Sequence, residues 1–152
     1  HVRISEEARY GPLIPRGKAD IILGFEPVES LRTVGDFGNK DTKVIVNPRP
    51  VYPIDVLSGD STYPAINEVL KATKELTSSV HVVEATELAK DSGNTLMQNI
   101  VMVGCLVASG FTPLKAETTM EVIKETFAEK NPEMNLKAFE LGMKEMRRIK
   151  PL

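Results

Sequence analysis

The chain has 152 residues, of which 41% are hydrophobic and 26% are charged, and its formal net charge is -2. This composition is ordinary for a globular protein and unlike that of a disordered chain, and the length allows roughly two thirds of the unfolded surface to be buried. Because 19 Lys and Arg stand against 21 Asp and Glu without a basic block, the sequence disfavours nucleic acid as a partner.

Three short runs rich in β-branched and aliphatic residues predict buried strands, and helical patterns alternate with them. This alternation is typical of an α/β fold in three layers (α/β/α), with helices on both faces of a mostly parallel sheet. Pro27 follows the first run and favours a short helix to about Arg32, which Gly35 and Gly38 would end. The predicted strands are residues 19–25, 43–47 and 80–85.

The segment between the second and third strands combines a loop with a helix. Prolines cannot donate to a sheet ladder, and those within residues 47–59 predict a long irregular loop. From Pro64 onward the apolar spacing predicts a helix, with Ser61 and Thr62 available as N-caps.

The last third of the chain is predicted to be helical. Residues 94–109 are apolar on nearly all sides apart from Gln98 and Asn99, which indicates a helix buried in the domain or in a subunit contact. The longest apolar run, residues 100–108, is far shorter than the roughly 20 residues that cross a bilayer, so no membrane span is expected. The pair Asn131-Pro132 favours the start of the final helix.

Few side chains in this sequence could supply metal or nucleophile chemistry. The single cysteine, Cys105, excludes an internal disulfide, cannot by itself hold zinc or an iron-sulfur cluster, and favours a reducing, cytoplasmic setting. Cys105 lies inside an apolar helix and His81 among valines, so both are better explained by packing. His1, the other histidine, has no companion at metal-ligand spacing. We therefore predict no catalytic residue and no metal site.

Glu26 and Asn47 end two consecutive predicted strands. In parallel sheets, ligands and partners gather outside the carboxyl ends of the strands, so both side chains are candidates for contact with a ligand or a partner subunit. Two structural alternatives stay open. Glu26 could instead be the N-cap of the helix that starts at Pro27, and Asn47 could bond to its own turn.

Asn99 and Gly104 are the candidates within the apolar helix. An amide in such a helix lowers stability unless its donors and acceptor are paired, so we expect Asn99 to bond to a neighbouring loop, a partner subunit or a ligand. Gly104 would allow another backbone to pack closely, and it is a further candidate for a ligand or subunit contact. We expect Glu26, Asn47 and Asn99 to lie toward one side of the domain.

Several segments, taken in order along the chain, resemble one protein family. They read HVRI, GPLIP, KAD, GFEPVE and NIVMVG, and begin at residues 1, 11, 18, 24 and 99. The family is the gamma domain of pyruvate and related 2-oxoacid:ferredoxin oxidoreductases. PLIPRGKAD, from residue 12, and NLKAFELG, from residue 135, look most like the beta subunit of indolepyruvate ferredoxin oxidoreductase. The resemblance covers essentially the whole chain.

The resemblance implies one gamma-type domain over residues 1–152. Family members begin with a strand, a glycine-rich turn and a helix before the segment that matches His1, so the domain is expected to be N-terminally incomplete and to lack that strand. The glycine-rich turn therefore matches no residue here. Residues 1–4 themselves read as a strand.

The resemblance also implies that the chemistry is divided between subunits. In similar enzymes thiamine diphosphate attacks the keto carbon of a 2-oxoacid, carbon dioxide leaves, iron-sulfur clusters pass electrons to ferredoxin, and coenzyme A takes the acyl group. Because this chain lacks cluster cysteines and a convincing diphosphate-magnesium motif, a larger alpha subunit is expected to carry the thiamine diphosphate, the magnesium and the clusters.

On this interpretation the chain is a cofactor-free partner that is inactive alone. Its complex would oxidise indolepyruvate or another aryl pyruvate in anaerobic metabolism. One alternative is the gamma subunit of a pyruvate or other 2-oxoacid enzyme. The other is a free-standing nucleotide-binding or regulatory α/β domain, which the fold by itself would permit.

Overall fold

A three-stranded parallel sheet forms the centre of the computed structural model, which describes residues 1–6 and 11–152. The strands lie in the order β1-β2-β3, and all are paired in parallel. The predicted strands and the parallel sheet are confirmed, although each strand is shorter than its apolar run. The three strands are β1 (Ile21–Gly24), β2 (Lys43–Val46) and β3 (Ser79–Val82).

α1 (Pro27–Phe37) covers one face of the sheet and is longer than predicted. The predicted end near Arg32 is wrong because Val34, only 3% exposed, continues the buried face of the helix. Gly35 lies within the helix rather than after it. The helix ends at Gly38, whose N–H bonds to the carbonyl of Val34 at 2.8 Å.

Two helices lie between β2 and β3: α2 (Ile54–Leu57) and α3 (Ile66–Leu76). The loop prediction for residues 47–59 misses α2, because a single turn is too short to show an apolar period. α3 confirms the predicted helix. The predicted N-caps, Ser61 and Thr62, lie several residues before it and do not cap it.

The first core lies between the sheet and helices α1 and α3. Side chains that project to one face of the three strands meet Val34 of α1 and Leu70 of α3. Alternate residues of each strand therefore face this core, as the pleat of a strand requires. The members of this core are Ala19, Ile22, Val34, Val44, Val46, Leu70 and Val80.

Helices α4 (Ala85–Ser92), α5 (Gln98–Ala108) and α7 (Pro132–Arg148) cover the other face of the sheet. A single 3-10 turn, Thr95–Met97, precedes α5. α5 confirms the predicted buried helix. The sequence gives no signal for α4 because the side chains that this helix buries are small: Ala85, Thr86, Ala89 and Ser92.

The second core includes Ile45 of the central strand together with residues of α4, α5 and α7. Because β2 contributes to both cores, the protein has three layers, with helices on each side of the sheet. The predicted α/β/α fold is confirmed. The buried residues of this core are Ile45, Val83, Ala85, Ala89, Val101, Met102, Cys105, Ala138 and Met146.

The outer helix α6 (Ala116–Thr126) packs on α5 and α7 through a smaller cluster that contains Ile123 and Phe139. α7 begins at Pro132, with Asn131 in the N-cap position, as predicted. Among the described residues, no helix is both long and apolar enough to cross a membrane.

Residues 1–4 do not form the predicted strand. A strand needs a neighbouring ladder to satisfy its backbone groups, and none of the three described strands pairs with this segment. His1 instead lies against Phe37 with ring centroids 4.8 Å apart, and its ring nitrogen accepts a hydrogen bond from Ile14 N at 3.0 Å. Val2 is 81% exposed.

Candidate functional site

The carboxyl ends of the three strands meet at one edge of the sheet, which we call the carboxyl edge. Gly24, Val46 and Val82, the last residues of the strands, lie side by side in the register. The hydrogen bonding continues one step further, because Asn47 N donates to Gly24 O at 2.9 Å. Glu26 and Asn47 therefore lie at this same edge, where ligands collect in parallel α/β sheets.

Glu26 is held inside the chain by two hydrogen bonds and is 9% exposed. One carboxylate oxygen accepts from the backbone N–H of Glu29 at 2.8 Å, so Glu26 is the N-cap of α1. The other oxygen accepts from the hydroxyl of Tyr63. Burial, together with the hydrogen bond to Glu26 and its negative charge, raises the pKa of Tyr63 above the usual value. The capping alternative is confirmed, and Tyr63 ties the loop before α3 to the end of β1.

Asn47, Thr86 and Gln98 form a polar cluster at the carboxyl edge, which we call the Asn47 cluster. The Nδ2 of Asn47 donates to Thr86 Oγ1 at 3.1 Å and to Gln98 Oε1 at 3.5 Å. Thr86 Oγ1 donates in turn to Gln98 Oε1 at 3.1 Å. The cluster joins β2, α4 and α5. The nitrogen of Asn47 thus bonds to two other elements, and the alternative of a bond to its own turn is not what the structure shows.

The amide oxygen of Asn47 is buried and has no hydrogen-bond donor among the described residues. An unpaired buried acceptor costs about 1–3 kcal/mol, so such atoms are generally satisfied by a water or a ligand. Asn47 itself is 1% exposed. Its amide oxygen is therefore an unpaired acceptor inside the described part of the chain.

An open groove of about 850 Å³ adjoins the Asn47 cluster and includes Thr86 in its lining. Apolar side chains such as Ile66 and Leu70 lie in it beside charged side chains of both signs, Arg49 and Glu84 among them. This mixed lining suits an elongated group with apolar and polar parts better than a small ion.

The prediction that Asn99 is a buried amide is wrong, because Asn99 is exposed in the first turn of α5. Its neighbour Gln98 is the amide that enters the polar cluster. Successive helical residues point about 100° apart, so only one of two adjacent amides can face the sheet edge. The sequence prediction missed two residues of the cluster: Gln98, the other amide of this helix, and Thr86, just beyond the third strand.

Gly104 lies where α5 crosses α7. A Cβ at this position would overlap the carbonyl oxygen of Phe139, and a Cβ at Gly142 would overlap that of Val101. These two glycines allow the helices to approach closely, which accounts for Gly104 by packing within the chain. A contact of Gly104 with a ligand or partner stays a prediction.

His81 is a core residue. It is 8% exposed, its ring lies 5.6 Å from that of Phe111, and burial lowers its pKa. In the described part of the chain, no three His, Cys, Asp or Glu side chains are grouped so that they could hold a metal ion. The interpretation of His81 as a packing residue is confirmed.

Residues 1–145 match the family described as pyruvate ferredoxin/flavodoxin oxidoreductase. The chain belongs to this family. It is 38% identical over 145 residues to the indolepyruvate oxidoreductase subunit IorB of Pyrococcus horikoshii. It is 39% identical to the protein of the same name from Thermococcus kodakarensis, and each comparison covers 95% of this chain and 71% of the relative. The resemblance to the indolepyruvate branch is confirmed.

Two solved structures share the fold. The gamma subunit of a keto/oxoacid ferredoxin oxidoreductase from Geobacter sulfurreducens has a TM-score of 0.60 at 19% identity, over 88% of this chain and 67% of that one. A 2-oxoglutarate:ferredoxin oxidoreductase from Magnetococcus marinus, with 2-oxoglutarate, coenzyme A and succinyl-CoA bound, has a TM-score of 0.57 at 20% identity, over 88% of this chain and 20% of that one. At these identities the likeness concerns the fold alone.

The residues of this family member do not fit an iron-sulfur cluster. Such clusters are held by several thiolates, and this chain has one cysteine. Cys105 is 0% exposed, its thiol donates to the carbonyl of Gly142 at 3.2 Å, and burial raises its pKa to about 12. The predicted packing role of Cys105 is confirmed.

Proposed function

We propose that this chain is the small, cofactor-free subunit of a 2-oxoacid:ferredoxin oxidoreductase of the indolepyruvate type, and that it works with a larger alpha subunit. The observation that carries this proposal is the match to the oxidoreductase family over residues 1–145. The names of the two archaeal relatives support the indolepyruvate branch. The single buried cysteine supports the placement of the redox centres in another chain.

In this proposal the alpha subunit holds thiamine diphosphate, magnesium and iron-sulfur clusters. The complex converts indolepyruvate and coenzyme A to indoleacetyl-coenzyme A and carbon dioxide, and the two electrons released reduce ferredoxin. Other aryl pyruvates would be further substrates. The present chain supplies binding surface and orientation rather than the redox chemistry.

We assign the carboxyl edge as the part of this chain that faces the alpha subunit or coenzyme A. The buried amide oxygen of Asn47, which lacks a donor among the described residues, is the acceptor that we assign to an N–H or O–H group of coenzyme A or the partner. The adjoining groove offers apolar and charged walls to the same ligand or to a segment of the partner. Glu26 has a structural part in this assignment, because it holds α1 and Tyr63 at the border of the site.

The test compares the purified chain with the two-subunit complex. We expect no reduction of ferredoxin or viologen by the chain alone and indolepyruvate-dependent reduction by the complex, with iron only in the complex. A parallel assay with pyruvate, 2-oxoglutarate and phenylpyruvate identifies the preferred 2-oxoacid. Iron-free, substrate-dependent reduction by the isolated chain would contradict the proposed division between subunits. Preference for pyruvate would assign the complex to another branch of the family.

A further inference from the structure

The loop after β2 exposes an unusual concentration of large apolar side chains. Val51 is 69% exposed, Tyr52 50%, Ile54 85% and Leu57 72%. α2, which carries two of them, has no buried residue. Single exposed apolar side chains are common, but four within seven residues are an unusual concentration, and large exposed apolar surfaces mark interaction sites. We call residues 51–57 the docking loop.

Hydrogen bonds between nearby residues fix the local shape of the docking loop although it buries little. Leu57 N donates to Pro53 O at 3.0 Å, and the N–H groups of Asp60 and Ser61 both donate to the carbonyl of Asp55, at 2.8 and 3.1 Å. A loop ordered in this way loses little conformational entropy when a partner binds. Its apolar side chains are therefore preorganised for association.

Aromatic contacts join the docking loop to the carboxyl edge. The rings of Tyr52 and Tyr63 meet edge to face at 5.3 Å, and the Tyr63 hydroxyl donates to Glu26. Pro48 and Pro50, which lead into the loop, line the groove beside the Asn47 cluster. A partner seated on the loop would therefore lie next to the candidate site.

We propose that the docking loop inserts into an apolar pocket with a basic rim on the larger subunit, an inference that rests on the proposed function. Residues 50–65 contain two acidic side chains, Asp55 and Asp60, and no basic one. A second copy of this chain that used the same patch across a two-fold axis would add the same two carboxylates, and no basic group of residues 50–65, to the interface. Like charges opposed in an interface are unfavourable, whereas a basic rim complements them.

The test is a double variant, Ile54→Ser with Leu57→Ser, in the complex with the larger subunit. Both side chains are exposed, so the melting temperature of the small subunit should stay unchanged. The dissociation constant should rise by about tenfold or more, as expected when apolar anchors are truncated. The matched control, Leu114→Ser with Val122→Ser, changes two side chains that are 41% and 53% exposed near and on α6, and it should bind like the unchanged protein.

Each outcome separates this inference from the proposed function. If the unchanged chain does not associate with the larger subunit, the proposed function fails. If both double variants associate like the unchanged chain, the proposed function is supported and the proposed role of the docking loop is wrong. If the isolated chain dimerises and the loop variant alone is monomeric, the occupant is a second copy and not the larger subunit. Association that strengthens as salt is added would contradict the basic rim.

Discussion

The side-chain nitrogen of Asn47 donates to the hydroxyl of Thr86 at 3.1 Å, across 39 residues of sequence. This bond fastens the end of β2 to the first turn of α4, while the oxygen of the same amide has no donor among the described residues. The two ends of one side chain therefore have separable roles. The nitrogen stabilises the fold, and the oxygen is a buried acceptor that these bonds leave unpaired.

We predict that Asn47→Ala lowers the free energy of unfolding by no more than about 1 kcal/mol, because it removes buried hydrogen bonds but also removes the unpaired oxygen. If the oxygen also meets coenzyme A or the alpha subunit, the variant complex should need more coenzyme A or assemble less tightly. Urea denaturation of the small subunit and the apparent KM for coenzyme A measure the two effects. The matched control is Thr86→Val, which breaks the same bond but keeps the oxygen of Asn47. Equal changes in KM for both variants would contradict a ligand role for the oxygen.

Two adjacent amides at the start of α5 should respond differently to substitution. Gln98→Ala removes the acceptor of two hydrogen bonds and should lower the free energy of unfolding by about 1 kcal/mol or more. Asn99→Ala changes an exposed side chain and should alter stability by less than about 0.5 kcal/mol. Urea midpoints of the two variants test this order. A larger loss for Asn99→Ala would mean that this amide contacts something within the small subunit.

The bond between Tyr63 and Glu26 should make stability sensitive to alkaline pH. The pKa of Tyr63 is raised in the folded chain, so the unfolded chain loses its phenolic proton first as the pH rises. The stabilisation is complete below the ordinary tyrosine pKa of about 10 and declines above it. Melting temperatures measured between about pH 8 and about pH 11 should decline less for Tyr63→Phe than for Tyr52→Phe. The difference between the two variants should appear above that pKa. Identical declines would show that the phenol of Tyr63 does not contribute to the alkaline loss of stability.

The sequence predicts the sheet and the largest helices because their signals are periodic over several residues. β2 is buried on both faces and therefore reads as an apolar run, and α5 is apolar nearly all round. The apolar pattern does not predict α4, because the side chains that are fully buried in this helix are small or polar. The strand expected at residues 1–4 fails for a different reason, since a strand depends on a pairing partner that local sequence does not specify.

The candidate site is only half predictable for a similar reason. Glu26 and Asn47 follow from the rule on strand ends, and the structure places both at the carboxyl edge. Thr86 and Gln98 complete the Asn47 cluster from elements that are distant in sequence. Choosing between Gln98 and Asn99 requires the rotation of α5 about its axis. That rotation is set by its packing against α7 and not by the amides themselves.

Cys105 should resist alkylation in the folded chain. The thiol is 0% exposed and burial raises its pKa to about 12, so both access and the thiolate fraction are low at neutral pH. We expect no carboxamidomethylation by iodoacetamide at about pH 8 in buffer and complete labelling in urea, as followed by intact mass. Rapid labelling of the folded chain, with its melting transition intact, would contradict the packing role of this residue.

Gly104→Ala should be strongly destabilising, because the new methyl group would overlap the carbonyl oxygen of Phe139 in α7. Backbone cannot move aside as a flexible side chain can, so α5 and α7 must separate. We expect the free energy of unfolding to fall by about 1–3 kcal/mol or more. Urea denaturation measures the loss.

The control for this prediction is Gly35→Ala in α1, an exposed helical position where a Cβ would meet no atom within 4 Å. Alanine is favoured over glycine inside a helix by about 1 kcal/mol, so this variant should be as stable as the unchanged chain or more stable. The two substitutions are chemically identical and both fall within helices. Opposite signs would therefore isolate the close approach of α5 and α7 as the cause. If Gly104→Ala were also neutral or stabilising, the two helices could not approach each other as closely as the structure shows.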